Sequence, residues 1–122
     1  MQSTDRTRYS DAELEEFRAL ITNKLSQARE QLEFYASQLR ETAEGADSKV
    51  RGLDDGTGTT ETEELQTLAA RQQKLIRHLE NALIRIDNKV YGICRQTGKL
   101  ISKQRLLAVP HATLSISAKQ SR

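Results

Sequence analysis

From Leu14 to Leu39, apolar side chains recur every three or four residues, and this spacing restricts the chain more than any other feature. Leu25, Leu32 and Leu39 lie seven apart, as do Leu14, Ile21, Ala28 and Tyr35, with Phe17 on the same stripe. Rows of this kind form the a/d seam of a coiled coil, because they keep one apolar stripe facing a partner helix. In front of the seam, Ser10-Asp-Ala-Glu13 spells a capping box. The Ser10 hydroxyl accepts from a free backbone N–H while Glu13 reaches back to the Ser10 amide. Asp11, Glu13, Glu15 and Glu16 complement the positive end of the helix dipole. The pattern predicts a helix to about Glu44, where Gly45 supplies a C-terminal cap.

The only proline, Pro110, leaves residues 11–89 free of the strongest helix breaker. Four of the six glycines fall between Gly45 and Thr60, which marks a turn. A second helix is expected to restart near Thr60, with Glu63 completing another capping box. Its seam is Leu65, Gln72, Leu79 and Ile86 on one row and Ala69, Ile76, Leu83 and Val90 beside it, widened by Leu68 and Leu75. Gln72 either sets the register of the seam or is a tolerated half-exposed position. Two such helices, each of roughly 30–35 residues, must fold back antiparallel across so short a turn, as an arm roughly 45–50 Å long. The expected fold class is mainly α: a long antiparallel two-helix coiled-coil hairpin over residues 10–90, with its tip at about 45–60. A flexible N-terminus over residues 1–9 precedes it, and a small C-terminal domain over residues 91–122 follows.

Composition agrees with an elongated helical protein more than with a compact enzyme. Of 122 residues, 36% are apolar, 30% are charged and none is Trp. A run of about 18 apolar residues, the length a membrane span needs, is absent from the sequence. The first residues lack the apolar core of a signal peptide. A single cysteine cannot form an internal disulfide, which fits a reducing cytoplasm. Charge is uneven. Residues 11–47 carry nine acids against four bases, whereas residues 89–122 carry Lys89, Arg95, Lys99, Lys103, Arg105, Lys119 and Arg122 with no acid. That basic end either meets an acidic protein surface, a nucleic acid or a phosphorylated ligand, or simply keeps a small domain soluble.

Residues 91–111 are short apolar clusters separated by turn residues. Val90 to Cys94 and Lys99 to Ile101 suit two short strands around Gln96-Thr97-Gly98, and Ala112 to about Lys119 suits a last short helix. Chemistry-bearing clusters are sparse. His78 and His111 stand 33 residues apart with Cys94 unpaired between them, which makes no metal-ligand set. Cys94 reads as a small buried apolar residue, since neither His nor Asp lies near it in sequence. Asp54-Asp55 sits in a loop without a pocket to shift its pKa values. No catalytic site is expected.

The stretch Tyr91-Gly-Ile-Cys-Arg-Gln-Thr-Gly-Lys-Leu-Ile101 resembles the zinc-finger hairpin of the DksA/TraR family of bacterial transcription factors. There Tyr/Phe-Gly-x-Cys-x-x-Cys-Gly opens a four-cysteine zinc site. Here Cys94 stands at the first ligand position, Thr97 at the second, and Ser115 and Ala118 at the last two. The resemblance extends from about residue 61 to 120, most closely from Tyr91 to Lys119, including Gly98, Arg105, Leu106, Ala108 and Pro110. It implies a zinc-finger-like domain without metal, held by Ile93, Leu100, Ile101, Leu106, Leu107, Val109 and Leu114 in place of the ion.

The resemblance also implies a function. Proteins of the family insert a coiled-coil hairpin into the secondary channel of bacterial RNA polymerase and bring acidic tip residues near its catalytic magnesium. The family's tip motif Asp-x-x-Asp-x-Ala falls on Arg51-Gly-Leu-Asp54-Asp-Gly56, so Asp54 is kept and Asp55 is the candidate stand-in for the other acid. Arg71 matches a basic position that contacts the channel rim. Lys119 matches a basic residue of the family's guanosine tetraphosphate site, whose other basic positions are here His78 and Val109. The implied protein is a cytoplasmic regulator of transcription initiation, tied to the stringent response, that acts on polymerase without contacting DNA. A coiled-coil adaptor that recruits another helix through its seam is the alternative from a different class. A nucleic-acid binder using the basic end ranks third, because only Tyr91 offers a stacking ring there.

Overall fold

This computed structural model describes residues 7–48 and 55–120. They form a mainly α chain with four helices among the described residues: α1 (Asp11–Ser48), α2 (Asp55–Asp87), α3 (Lys103–Ala108) and α4 (Ile116–Gln120). The start of α1 is the capping box read from the sequence. Ser10 N donates to Glu13 Oε1 at 2.9 Å, and Glu13 N donates to Ser10 Oγ at 3.1 Å. Both long helices extend further into the connection than the glycines suggested. Gly45 does not end α1, which runs to Ser48, and Thr60 does not start α2, which begins at Asp55. Adding residues to an existing helix avoids a second nucleation, and this outweighs a cost of about 1 kcal/mol for each interior glycine.

The end of α2 is a Schellman turn without glycine. Val90 N donates to Arg85 O at 2.9 Å and Lys89 N to Ile86 O at 3.0 Å, while Lys89 takes the left-handed conformation at φ 63°. This fold-back satisfies two carbonyls of the last turn and aims the chain away from the helix axis.

The described residues divide into two compact units, one built from the chain up to Leu25 and from His78 onward, the other from Ser26–Arg77. In the first, α1 contributes Leu14, Phe17, Ile21 and Leu25 to the core, and α2 contributes Leu79, Ala82 and Ile86. Tyr91, Cys94, Ile101, Leu106, Ala112 and Ala118 close it from the C-terminal side. Ion pairs from Arg18 to Asp87 and from Lys89 to Asp11, each 2.7 Å, set the start of α1 beside the end of α2, so the two helices run antiparallel here.

Tyr9 also belongs to this core. Its side chain is 5% exposed, its ring meets Phe17 edge-on at 5.5 Å, and its hydroxyl donates to the Ile101 carbonyl. The flexible segment expected over residues 1–9 therefore does not include Tyr9. The sequence did carry a signal for it. An aromatic residue just before Ser10, with Leu14 at the fourth helical position, is the hydrophobic staple that accompanies a capping box.

In the second unit the seam is only half-covered. Ala28 is buried, while Leu32, Tyr35, Leu39, Leu65, Ala69, Gln72 and Ile76 are intermediate. Two helical segments without a third layer cannot enclose their apolar stripe. Gln72 is thus half-exposed, and Phe34 stands 55% exposed with its ring 5.8 Å from that of Tyr35.

After α2 the chain turns at Gly92 and Gly98, both at positive φ. The two strands expected around residues 96–98 reduce to a single antiparallel bridge between Ile93 and Leu100. With left-handed residues at φ 80° and φ 76° so close together, the backbone cannot stay extended long enough for a ladder. α3, not expected from the sequence, is capped by the Ser102 hydroxyl, which accepts from Arg105 N at 3.1 Å. The last helix begins at Ile116 rather than Ala112. The Ser115 hydroxyl accepts from Ala118 N at 3.1 Å and so acts as its cap.

Candidate functional site

Of the positions that resemble zinc-ligand positions, Thr97 and Ser115 meet at the Cys94 sulfur. Cys94 is fully buried. Its Sγ accepts from Ser115 N at 3.4 Å, and the Thr97 side chain and the Thr97 and Gln96 amides also hydrogen-bond to it. Hydrogen bonding from Thr97, then from Ser115, draws the thiol below its ordinary pKa, while burial opposes the charged form. The surrounding backbone is tied tightly. Cys94 N donates to Lys99 O at 2.7 Å, Gly98 N to Cys94 O at 2.8 Å and Arg95 N to Thr113 O at 2.9 Å.

This donor set does not fit a zinc ion. A structural zinc site needs four nitrogen or sulfur ligands, with carboxylate as the usual substitute. Here the four positions supply one thiol, two hydroxyls and the methyl of Ala118, and the Ser115 hydroxyl is already engaged as a helix cap. Among the described residues no group of three His, Cys, Asp or Glu side chains could hold a metal. The cohesion expected from aliphatic residues is shared unevenly. Ile101 and Leu106 are fully buried, Ile93, Leu100, Val109 and Leu114 are intermediate, and Leu107 is 56% exposed and adds no core packing. The sequence reading passed over Tyr91, Ala112 and Ala118, which are buried in their place. Tyr91 also donates its hydroxyl to the Pro110 carbonyl at 2.8 Å, and its ring lies 5.1 Å from that of Phe17.

The basic C-terminal end is partly neutralised from within. Lys89 pairs with Asp11, and Lys103 approaches Glu16 at 3.7 Å, so the acidic first turns of α1 meet bases that follow α2. Half-buried Arg105 spends its Nε on the Leu114 carbonyl at 2.9 Å. Arg95, Lys99 and Lys119 remain exposed. His78 and His111, far apart in sequence, stack with their centroids 5.3 Å apart.

Asp54 lies outside the described residues, and Asp55 opens α2. In the second unit, Arg71 is exposed and borders a shallow groove along one face of α2 with Thr60, Glu63, Glu64, Thr67 and Leu68. No described helix is long and apolar enough to cross a membrane.

Comparison with known proteins is consistent with this architecture. The profile of the prokaryotic dksA/traR C4-type zinc finger matches residues 89–122. The RNA polymerase-binding transcription factor DksA of Caulobacter vibrioides is 35% identical over 119 residues, which is 97% of this chain and 81% of that protein. General stress protein 16O of Bacillus subtilis is 29% identical over 98 residues, 80% of this chain and 59% of that one. The structure of transcription factor DksA2 from Pseudomonas aeruginosa superimposes with a TM-score of 0.81 at 28% identity, covering 90% of this chain and 82% of that chain.

Proposed function

Because the chain belongs to the DksA/TraR family, we propose that it binds bacterial RNA polymerase through the secondary channel and regulates initiation without contacting DNA. The observation that carries this reading is the 35% identity to an RNA polymerase-binding transcription factor over 97% of the chain. In this proposal the connection between α1 and α2 enters the channel, with Asp54 and Asp55 as its acidic tip. Arg71 meets the channel rim, and the exposed bases Arg95, Lys99 and Lys119 rest on the polymerase surface. The tip acts by its field and by occlusion rather than by catalysis, so the protein is not an enzyme. Polymerase as partner places it in the cytoplasm.

The C-terminal domain works without zinc in this reading, because hydrogen bonds to Cys94 and the buried side chains around it hold the turns that the ion would hold. Lys119 is the remnant of a guanosine tetraphosphate site. With a histidine and a valine at the site's other basic positions, the response to that nucleotide is expected to be weak.

The test pairs binding to core RNA polymerase with transcription from a promoter sensitive to this family, using wild type and Asp54→Ala/Asp55→Ala. Equal binding by both proteins, with the transcriptional effect lost in the variant, is the expected outcome. If the wild type shows no binding at micromolar concentration, the channel reading fails and a helical partner is indicated instead. If the variant regulates like wild type, the acidic tip is not the acting element.

A further inference from the structure

The His78 and His111 rings lie nearly parallel, 7° apart, on elements 33 residues apart in sequence. His78 is exposed in the C-terminal third of α2, while His111 follows Pro110 in the turn after α3. Arg85, two helical turns beyond His78, reaches the same turn, where its Nη2 donates to the His111 carbonyl at 3.4 Å. The turn is closed further by Ala112 N donating to Val109 O at 2.9 Å and by the Tyr91 hydroxyl on Pro110 O.

The charges around the pair have one sign. Among the described residues, the groups acting on the His111 ring are His78 and Arg85, and Arg95 in turn acts on Arg85. On α2, Lys74 lies one turn before His78 on the same face and Arg77 adjoins it, whereas Glu80, two residues on, falls on the far side of the helix. No charged group of α1 among the described residues acts on the ring. One ring nitrogen of His111 is also badly placed. His111 Nδ1 is buried with no hydrogen-bond partner, so a proton added there would form an N–H without an acceptor.

We propose that the His78–His111 stack is an acid-sensitive clasp that holds the Val109–Ala112 turn on α2 while His111 is neutral and releases it when His111 takes up a proton. Two neutral imidazoles stack favourably, as aromatic faces do. An imidazolium at His111, beside the Arg85 guanidinium and with one proton lacking an acceptor, is disfavoured. Burial of His111, followed by the His78 and Arg85 charges, depresses its pKa below the ordinary value. A depressed histidine stabilises the fold above its unfolded pKa of about 6.5, and that stabilisation is lost as pH falls through the lower folded pKa. The clasp rests on the packing of this unit and is independent of polymerase binding.

The test is NMR on the full chain, following imidazole titration and Ala112 amide protection between about pH 7.5 and about pH 5, where histidine changes charge. His78→Phe keeps a ring without a titrating group, and His78→Gln removes the ring. Both replace an exposed side chain. In wild type, His111 should titrate below about 6.5 and Ala112 protection should drop severalfold on acidification. In His78→Phe, the His111 titration should move up and Ala112 protection should persist further into acid. In His78→Gln, protection should already be reduced at neutral pH. The clasp is refuted if wild-type His111 titrates at or above the ordinary value. It is equally refuted if His78→Phe follows the wild-type protection profile.

Discussion

Replacing Gly92 with alanine should cost far more than one methyl group normally does. Gly92 sits at φ 80°, and a Cβ there would lie 2.7 Å from Tyr9 Cε2, 2.8 Å from Tyr9 Cδ2 and 3.2 Å from Leu106 Cδ1. The left-handed backbone alone costs a side chain roughly 1–2 kcal/mol. The crowding adds a second cost, because the Tyr9 ring cannot swing aside. Its hydroxyl is held by Ile101 O, its edge rests on Phe17, and it is 5% exposed. Overpacking of this kind costs roughly 1–3 kcal/mol, so Gly92→Ala should lose about 2–5 kcal/mol in all. That is a large share of a stability typically of about 5–15 kcal/mol.

Gly98 is the internal control. It has φ 76° but nothing within 4 Å of its would-be Cβ, so Gly98→Ala should show the backbone cost alone, roughly 1–2 kcal/mol. Urea unfolding of each variant measures the loss from the midpoint at constant slope. A double-mutant cycle with Tyr9→Ala then isolates the crowding. Once the ring is gone, Gly92→Ala should cost only the backbone part, leaving a coupling of roughly 1–3 kcal/mol. Equal losses at Gly92 and Gly98, together with a coupling near zero, would refute the claim that Tyr9 is clamped against the C-terminal turn.

Two further outcomes follow from the same core. Tyr91→Phe removes the donor to the buried Pro110 carbonyl and should destabilise by roughly 1–3 kcal/mol. Burial raises the Tyr91 hydroxyl above its ordinary pKa, so this loss should be the same from mildly acidic to mildly alkaline pH, and a neutral effect in urea would contradict it. Adding a strong chelator to the purified protein should leave its thermal midpoint and its polymerase binding unchanged, whereas a fall in either would show a resident metal.

The family was legible in the sequence from Tyr91-Gly-Ile-Cys94 and from Gly98, Arg105 and Pro110, a spelling that survives the loss of three cysteines. The degenerate ligand positions were also legible, but not what they do. That the Thr97 hydroxyl and the Ser115 amide both serve the Cys94 sulfur depends on side chains and backbone N–H groups meeting across 21 residues, which residue types do not encode. The two histidines form no metal-ligand set in the sequence, where 33 positions divide them, and only the path of the chain after α3 brings their rings together. Tyr9 was hidden in a polar run, although the staple in front of the capping box pointed to it.

The sequence by itself determined the two long helices, their apolar faces and the start of the first, because heptad spacing and capping act within a few residues. It did not determine their inner ends, where the gain from extending an existing helix overrode glycines that locally read as a turn. Tertiary structure alone decided which parts of the seam are buried. α1 and α2 carry the same kind of stripe along their length, yet in the first unit the described stripe is fully covered from Leu14 to Leu25 and at Leu79, Ala82 and Ile86. There the Tyr9 clamp, made across 92 residues, and the C-terminal turns supply a third layer, and burial requires neighbours on every side.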